Sequence, residues 1–230
     1  MIALFAPNRV VPPGGESALA PNDRDAVKRR GIDRLVHPEA MMPGVVMALG
    51  VGALTTFFVF VPQHSRDLGM GSSSGLFAVY ALVSVLIRVL GATWPERLGP
   101  RRMVTVALSA FGLGLTLVGA ISSVVVLWVA AIMVGVGAAF LYPSLNALTV
   151  NRVSDRDRAI AVSSFTMFFE IGGAISGLAI GGLAEVIGKQ RAFFGGVVFV
   201  LIGLYVLRSR VVPAGSPDAG PVNTPVPATH

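Results

Sequence analysis

Long stretches without any charged residue are the feature that most constrains the fold of this chain. The sequence contains no Asp, Glu, Lys or Arg from Met103 to Asn151, and none from Leu68 to Ile87. A helix of about 20 apolar residues spans the roughly 30 Å hydrocarbon core of a bilayer. The shorter run is long enough for one crossing. The longer run fits two crossings, with Ser122 and Ser123 at the turn between them.

Three further apolar runs complete the pattern. They are Ala40 to Ser65, Ala159 to Ala184, which carries only Glu170 as a charge, and Ala192 to Leu207. The composition agrees, because only 13% of residues are charged, whereas soluble domains have about 25%. The sequence therefore predicts an all-α membrane protein with six transmembrane helices, and the lipid bilayer is its first partner.

The regions outside the apolar runs have a different character. Residues 1–39 mix proline, glycine and charge, and they read as a cytoplasmic linker-like segment. Residues 211–230 contain five prolines and are predicted to be a disordered, Pro-rich cytoplasmic tail. The six-helix transmembrane domain then occupies residues 40–210.

The placement of basic residues predicts the orientation of the helices. If the first loop lies outside, 15 of the 18 Lys and Arg residues fall on the cytoplasmic side, and Arg66, Lys189 and Arg191 fall outside. This is the positive-inside bias of membrane proteins. It predicts a multi-pass protein of the cell membrane with both termini in the cytoplasm. The net charge of +6 is thereby explained without a nucleic-acid partner.

Signals for catalysis or cofactor binding are missing from the sequence. There is no cysteine, and the three histidines are widely separated. The sequence has no phosphate-binding loop for ATP and no hydrolase triad pattern. We therefore expect neither a metal nor a cofactor, and we do not expect an enzyme.

A charged segment between the second and third apolar runs points to a family. It reads Arg-Val-Leu-Gly-Ala-Thr-Trp-Pro-Glu-Arg-Leu-Gly-Pro-Arg-Arg and spans residues 88–102. The order resembles the loop signature of the major facilitator superfamily of secondary transporters, in which this loop gates the change of access. The matching residues, called the gating loop below, are Arg88, Gly91, Glu96, Arg97, Gly99, Arg101 and Arg102.

Departures from that signature leave an alternative open for the loop. Glu96 stands where the family usually has aspartate, Ala92 stands where a second glycine is common, and Trp94-Pro95 should end the second helix early. The alternative is a simple positive-inside anchor, which is compatible with gating.

Six helices in this order resemble the C-terminal half of the major facilitator fold. In that fold two six-helix halves face each other across a substrate cavity. The resemblance implies secondary transport of a small molecule, driven by protons and directed outward. It also implies a second six-helix half, supplied by another chain or by a homodimer, because the N-terminal half is not in this sequence. The alternative is a non-transporting remnant, or a helix-packing partner of another membrane protein.

Glu170 is the predicted proton-coupling or substrate-binding residue. It lies twelve residues beyond Arg158, which places it roughly 18 Å into the membrane. A carboxylate at that depth costs about 2.5–3.5 kcal/mol unless protein or water surrounds it. We expect Glu170 to point toward a helix partner. The alternative is a neutral carboxyl group that only fixes helix packing.

Small residues follow Glu170 on the same helix. Gly173, Gly177 and Gly181 recur at intervals of four, with Gly182 beside them. The stripe resembles the glycine motif of drug/proton antiporters in this superfamily, although Leu178 stands where that motif has proline. Close helix packing is the simpler interpretation.

Two other helices carry polar faces that are candidates to line a cavity. Tyr80, Ser84 and Arg88 recur every four residues on the second span, while Tyr142 and Asn146 do so on the fourth. Ordinary hydrogen bonding between helices is the alternative for both faces.

Overall fold

The computed structural model describes residues 38–91, 94–151, 153 and 157–210, without the side chains of Pro95 and Glu96. Within these ranges the chain is helical, with six long helices and one short one. The predicted linker-like segment, apart from its last two residues, and the predicted tail lie outside the described residues. The helices are α1 (Pro38–Asp67), α2 (Ser74–Leu90), α3 (Trp94–Leu98), α4 (Pro100–Ala120), α5 (Val124–Val150), α6 (Arg158–Ile187) and α7 (Lys189–Ser209).

Five of the long helices have the length and composition to cross a membrane: α1, α4, α5, α6 and α7. The sixth, α2, is apolar but shorter, with 17 residues. The six long helices follow the predicted order, which confirms the all-α fold expected from the charge-free runs.

The start of α2 corrects the boundary drawn from hydropathy. The charge-free run begins at Leu68, but the helix begins at Ser74. Gly69 has a φ of 79°, a left-handed conformation that favours glycine. The hydroxyl groups of Ser72 and Ser74 hydrogen bond at 2.8 Å, and Ser72 also accepts the backbone N–H of Ser74. The first residues of the charge-free run therefore form a turn, and the helix starts after this turn.

Two glycines permit tight connections between other helices. Gly99 precedes α4 with a φ of 83°, and Pro100 occupies the first turn of that helix, where a missing N–H costs nothing. Gly188 alone separates α6 from α7, with a φ of 86°. Short reversals of this kind place consecutive helices antiparallel, as a six-span protein requires.

Helices α1 and α5 form the centre of the bundle. Helix α1 packs against α5, α6 and α7, and α5 packs against α2 and α4. Large aromatic side chains fill the core, namely Phe57, Phe111, Phe165 and Phe193. The contact of α4 with α5 is close because Gly137 lacks a side chain: a Cβ there would lie 2.7 Å from the Phe111 ring and 2.9 Å from the carbonyl oxygen of Ala107.

Helix α6 covers only part of the bundle and is itself poorly covered. Its buried residues, among them Phe165, Gly172, Ser176 and Ile180, form one narrow stripe. Its other side, the uncovered face below, consists of Thr166, Met167, Glu170, Ile171, Ala174, Ile175 and Leu178, all of which are exposed. The described helices leave this apolar side without a protein neighbour.

Candidate functional site at the junction of α5 and α6

Glu170 lies in the middle part of α6, on its uncovered face. The described helices therefore do not supply the helix partner that we expected for this residue. A carboxylate at membrane depth needs water or protein around it. The position of Glu170 thus marks the side of α6 where water or further protein must lie.

An aromatic cluster adjoins Glu170 at the contact of α5 with α6. The ring of Tyr142 lies 5.5 Å from that of Phe165 and 6.5 Å from that of Phe169, which directly precedes Glu170. The Tyr142 side chain is 36% exposed. An accessible tyrosine thus packs against the residue that precedes the carboxylate, while Glu170 itself lies on the uncovered face of α6. The exposed part of the Tyr142 ring has the chemistry to contact a flat, positively charged ligand.

Helix α5 brings unpaired polar atoms close to this cluster. One turn after Tyr142, the amide oxygen of Asn146 is buried and has no hydrogen-bond partner in the described part of the chain; the same holds for the Ser144 hydroxyl. Directly after Tyr142, Pro143 lacks an N–H and so leaves the carbonyl of Ala139 without its helical donor. Buried polar atoms without partners are costly, so these positions on α5 are candidates for a contact that forms in another arrangement of the helices.

The predicted polar face of α2 does not join this site. Ser84 is buried at 7% exposure, and Tyr80 packs against the rings of Phe57 and Phe58 on α1. Arg88 donates a hydrogen bond to the carbonyl oxygen of Ala138 on α5, at 3.3 Å. In this six-helix unit these residues therefore lie against neighbouring helices.

The described gating-loop residues make contacts within the protein. The backbone N–H of Gly91 ends α2 by binding the Ile87 carbonyl at 2.7 Å, and Trp94 of α3 stacks on Phe140 of α5. Arg97 and Arg102 are exposed. The side chain of Glu96 lies outside the described residues.

Arg101 has the most informative contacts in the loop. Its guanidinium group donates to the carbonyl oxygens of Leu207 at 3.3 Å and Arg208 at 3.1 Å. These carbonyls belong to the last turn of α7, where helical donors are missing and the helix dipole favours a cation. Arg101 therefore fastens the end of α7 to the start of α4.

Among the glycines of α6, Gly172 packs most closely against another helix, and it lies one residue away from the predicted glycine stripe. A Cβ on Gly172 would lie 2.5 Å from the Cα atom of Ala48 in α1. By contrast, a Cβ on Gly173 would lie 3.5 Å from the Val51 side chain, and a Cβ on Gly177 would lie 3.9 Å from the Thr55 side chain. Nothing lies within 4 Å of a Cβ on Gly181 or Gly182. Gly172 falls outside the predicted stripe because that stripe is defined by glycines at intervals of four residues, starting at Gly173.

The contacts of Phe165 and Phe169 with Tyr142 were not predicted from the sequence. Their spacing of four residues, ending beside Glu170, places both rings along one side of α6. That spacing was the available signal for an aromatic partner of the site. No group of three His, Cys, Asp or Glu side chains able to hold a metal occurs in the part of the chain that the structure describes.

Comparison with known proteins identifies the family. A family model described as Major Facilitator Superfamily matches residues 3–229. The chain belongs to the Major Facilitator Superfamily. It is therefore a multi-pass membrane protein of a transporter family, as the charged loop and the six spans predict.

Individual relatives agree with this assignment. The chain is 25% identical over 165 residues to an uncharacterized MFS-type transporter of Salmonella typhimurium, covering 71% of this chain and 41% of that protein. It is 24% identical to Multidrug resistance protein 1 of Bacillus subtilis, with 74% and 43% covered. It is 31% identical to the multidrug efflux pump LfrA of Mycolicibacterium smegmatis, with 70% and 32% covered.

A solved structure shows the same fold. The chain matches a peptide transporter POT, crystallised in complex with alafosfalin, with a TM-score of 0.59 and 18% identity. The match covers 74% of this chain and 36% of that one. The chain thus spans less than half the length of these transporters, as expected for a six-helix half of the superfamily fold.

Proposed function

We propose that this superfamily member carries out proton-coupled secondary transport of a small molecule, in the direction of export. The observation that carries the proposal is Glu170, a carboxylate in the middle part of α6 on a side that the described helices leave uncovered. It directly follows Phe169, whose ring contacts the accessible Tyr142. Glu170 takes up a proton from one side of the membrane and releases it on the other. Moving one charge through 100 mV supplies about 2.3 kcal/mol.

The same site accounts for substrate binding. Tyr142 and Phe169 provide aromatic rings, and Asn146 one turn further along α5 carries a buried acceptor without a partner in the described part of the chain. Competition between a proton and a cationic substrate for the Glu170 carboxylate couples the two movements, because either one neutralises the charge. Export is favoured by the relatives that are named multidrug efflux or multidrug resistance proteins.

Transport by this chain requires a second six-helix half. The uncovered face of α6 provides the surface for that half, because its apolar residues border the candidate site. A second copy of this chain or another six-helix chain packs there and closes the cavity. Both termini lie in the cytoplasm of a cell-membrane protein, since that orientation puts 15 of the 18 basic residues inside.

The gating loop then acts at the cytoplasmic end. Arg101 fastens α4 to α7, and Arg88 fastens α2 to α5. These contacts keep each pair of helices together while the halves rock against each other. Glu96 supplies the contact that breaks and forms between access states.

Flux measurements in proteoliposomes test the proposal. The purified chain is reconstituted, ethidium is used as a fluorescent aromatic cation, and its movement is followed with and without a pH gradient. We expect gradient-dependent flux that Glu170→Gln reduces at least tenfold. Glu185→Gln is the matched control, because Glu185 lies on the same helix near its end. Equal flux in the wild type and Glu170→Gln would refute the role of the carboxylate.

A second candidate is a non-transporting partner that packs against another membrane protein. It is favoured by the uncovered apolar face of α6, where Leu178 is 82% exposed and Ile175 is 61% exposed. Stable oligomers without any flux of ethidium or protons would support this candidate. Flux from the dimeric chain alone would exclude it.

A further inference from the structure

A groove between α4 and α7 lies away from the candidate transport site. It has a volume of about 480 Å³, and its lining includes Thr105 and Ser109 from α4 with Leu204, Tyr205 and Arg208 from α7. This volume is within the range of about 300–1,000 Å³ found for ligand sites. Tyr205 is 72% exposed, so the groove opens on the outside of the bundle.

The charge at one end of this groove is strongly positive. Arg101 and Arg102 begin α4, and Arg208 and Arg210 lie at the end of α7. Neither helix contains an Asp or Glu residue. Arg208 is exposed and lines the groove itself. The mouth of the groove therefore presents a guanidinium group to a ligand, and neither wall of the groove neutralises it.

The mouth is also held in place by a defined contact. The two hydrogen bonds from Arg101 to the carbonyl oxygens of Leu207 and Arg208 join the two helices at this end. Thr105 donates its hydroxyl to the carbonyl of Arg101, one turn below. The walls of the groove are thus fixed relative to each other where the charge is concentrated.

A second groove lies on the other side of the same two α4 residues. It has a volume of about 390 Å³ and runs between α4 and α5, where its lining includes Leu113, Met133 and Val136. Its exposed surface is almost entirely apolar, and Thr105 and Ser109 border both grooves. Two grooves therefore diverge from a shared ridge on a helix that can span a membrane: the one between α4 and α5 is apolar, and the one between α4 and α7 combines Leu204 with polar side chains.

We propose that the two grooves bind one anionic phospholipid, with its phosphate at Arg208 and one acyl chain in each groove. Two channels match the two chains of such a lipid, and the arginines match its charge. Basic pockets between helices at a membrane surface have the chemistry to bind anionic head groups. Apart from the two α4 hydroxyls the second groove is apolar, so a free phosphate ion would leave it empty. The site needs no second half and no transport activity.

Native mass spectrometry of the purified chain tests this proposal. The protein in detergent is mixed with phosphatidylglycerol or phosphatidylcholine of identical acyl chains, and the lipid that remains bound is counted. We expect phosphatidylglycerol to bind more tightly, and Arg208→Gln to weaken its binding about fivefold. That change corresponds to the roughly 1 kcal/mol that one basic residue contributes near an anionic surface. Ser109→Phe, which fills the ridge between the grooves, should weaken the binding of both lipids.

Arg97→Gln is the matched control, since Arg97 is exposed at the same end of the bundle but lines neither groove. Its phosphatidylglycerol binding should equal that of the wild type. Equal affinity for the two lipids, or equal losses in Arg97→Gln and Arg208→Gln, would show that binding is non-specific and overturn the proposal. Unfolding of each variant in detergent is measured beside binding, so that a folding defect is recognised. Lipid binding is measured without any measurement of flux. A failure of the lipid proposal is therefore distinguishable from a failure of the transport proposal.

Discussion

Helices α1 and α6 have the same length of 30 residues and pack against each other, yet their surroundings differ. In the most apolar part of α1, 61% of residues are buried by other helices, compared with 17% in α6. Both helices are hydrophobic enough to cross a membrane, so hydropathy alone does not distinguish them. The difference shows which apolar surface the six-helix unit uses for its own folding and which it leaves for lipid or another protein.

The proposed proton-coupling residue, Glu170, follows the same division. Helix α1 places only apolar or small side chains in the middle of the bundle, whereas α6 carries Glu170 there on its uncovered side. A charge in the packed centre would need a buried partner, which costs desolvation. On the uncovered side, water or a second half can solvate it. Under the proposed function, the poorly covered helix is therefore the one that carries the proton-coupling carboxylate.

The largest expected effect comes from removing a core side chain of α1. Phe57 is completely buried, so Phe57→Ala leaves a cavity and should lower the free energy of unfolding by about 3 kcal/mol. Its neighbour is the control: Phe58 is 39% exposed, and Phe58→Ala should cost about 1 kcal/mol through lost stacking on Phe77. The measurement is unfolding in mixed micelles of increasing SDS content. Equal losses would contradict the difference between covered and uncovered faces.

A smaller effect is expected where α1 and α6 cross. Gly172→Val would bring a side chain against the backbone of Ala48 and should lower the free energy of unfolding by about 2 kcal/mol. Gly182→Val is the matched control, because nothing lies within 4 Å of that position. The same SDS titration applies. If Gly182→Val were the more harmful change, the packing stripe would have to lie on the other side of α6.

The sequence was sufficient to predict six helices, their order and the charged loop, because each depends on composition over many residues. It failed on details set by single contacts. The glycine spacing predicts that one side of α6 packs closely, but it does not identify which side. The closest glycine contact is at Gly172, about 100° around the helix from the predicted stripe. Hydropathy does not distinguish a turn from a helix, so it did not predict the turn that Gly69 and Ser72 form before α2. The partner of Arg101 is 106 residues away, and no local pattern encodes such a contact.

The tie between α4 and α7 gives the next prediction. Arg101→Gln removes the guanidinium group that binds the last turn of α7, and it should lower the free energy of unfolding by about 1 kcal/mol. Arg102→Gln removes the same charge from the adjacent residue, which is exposed, and should change stability much less. Hydrogen exchange of the last turn of α7 should rise only in Arg101→Gln. Faster exchange in both variants would mean that net charge, not the specific contact, holds the helix end.

The smallest effect on the isolated chain is expected on the uncovered face. Leu178 is 82% exposed, so Leu178→Ala should change the free energy of unfolding by less than about 0.5 kcal/mol when the chain is dilute and monomeric. At high protein concentration the same variant should lose stability relative to the wild type, because a second half packed on α6 would bury this side chain and would bind the variant less well. Leu201→Ala, on the exposed side of α7, should show no such concentration dependence. A Leu178→Ala loss that is large and equal at all concentrations would place Leu178 inside the fold of the single chain and remove the distinction between the two faces of α6.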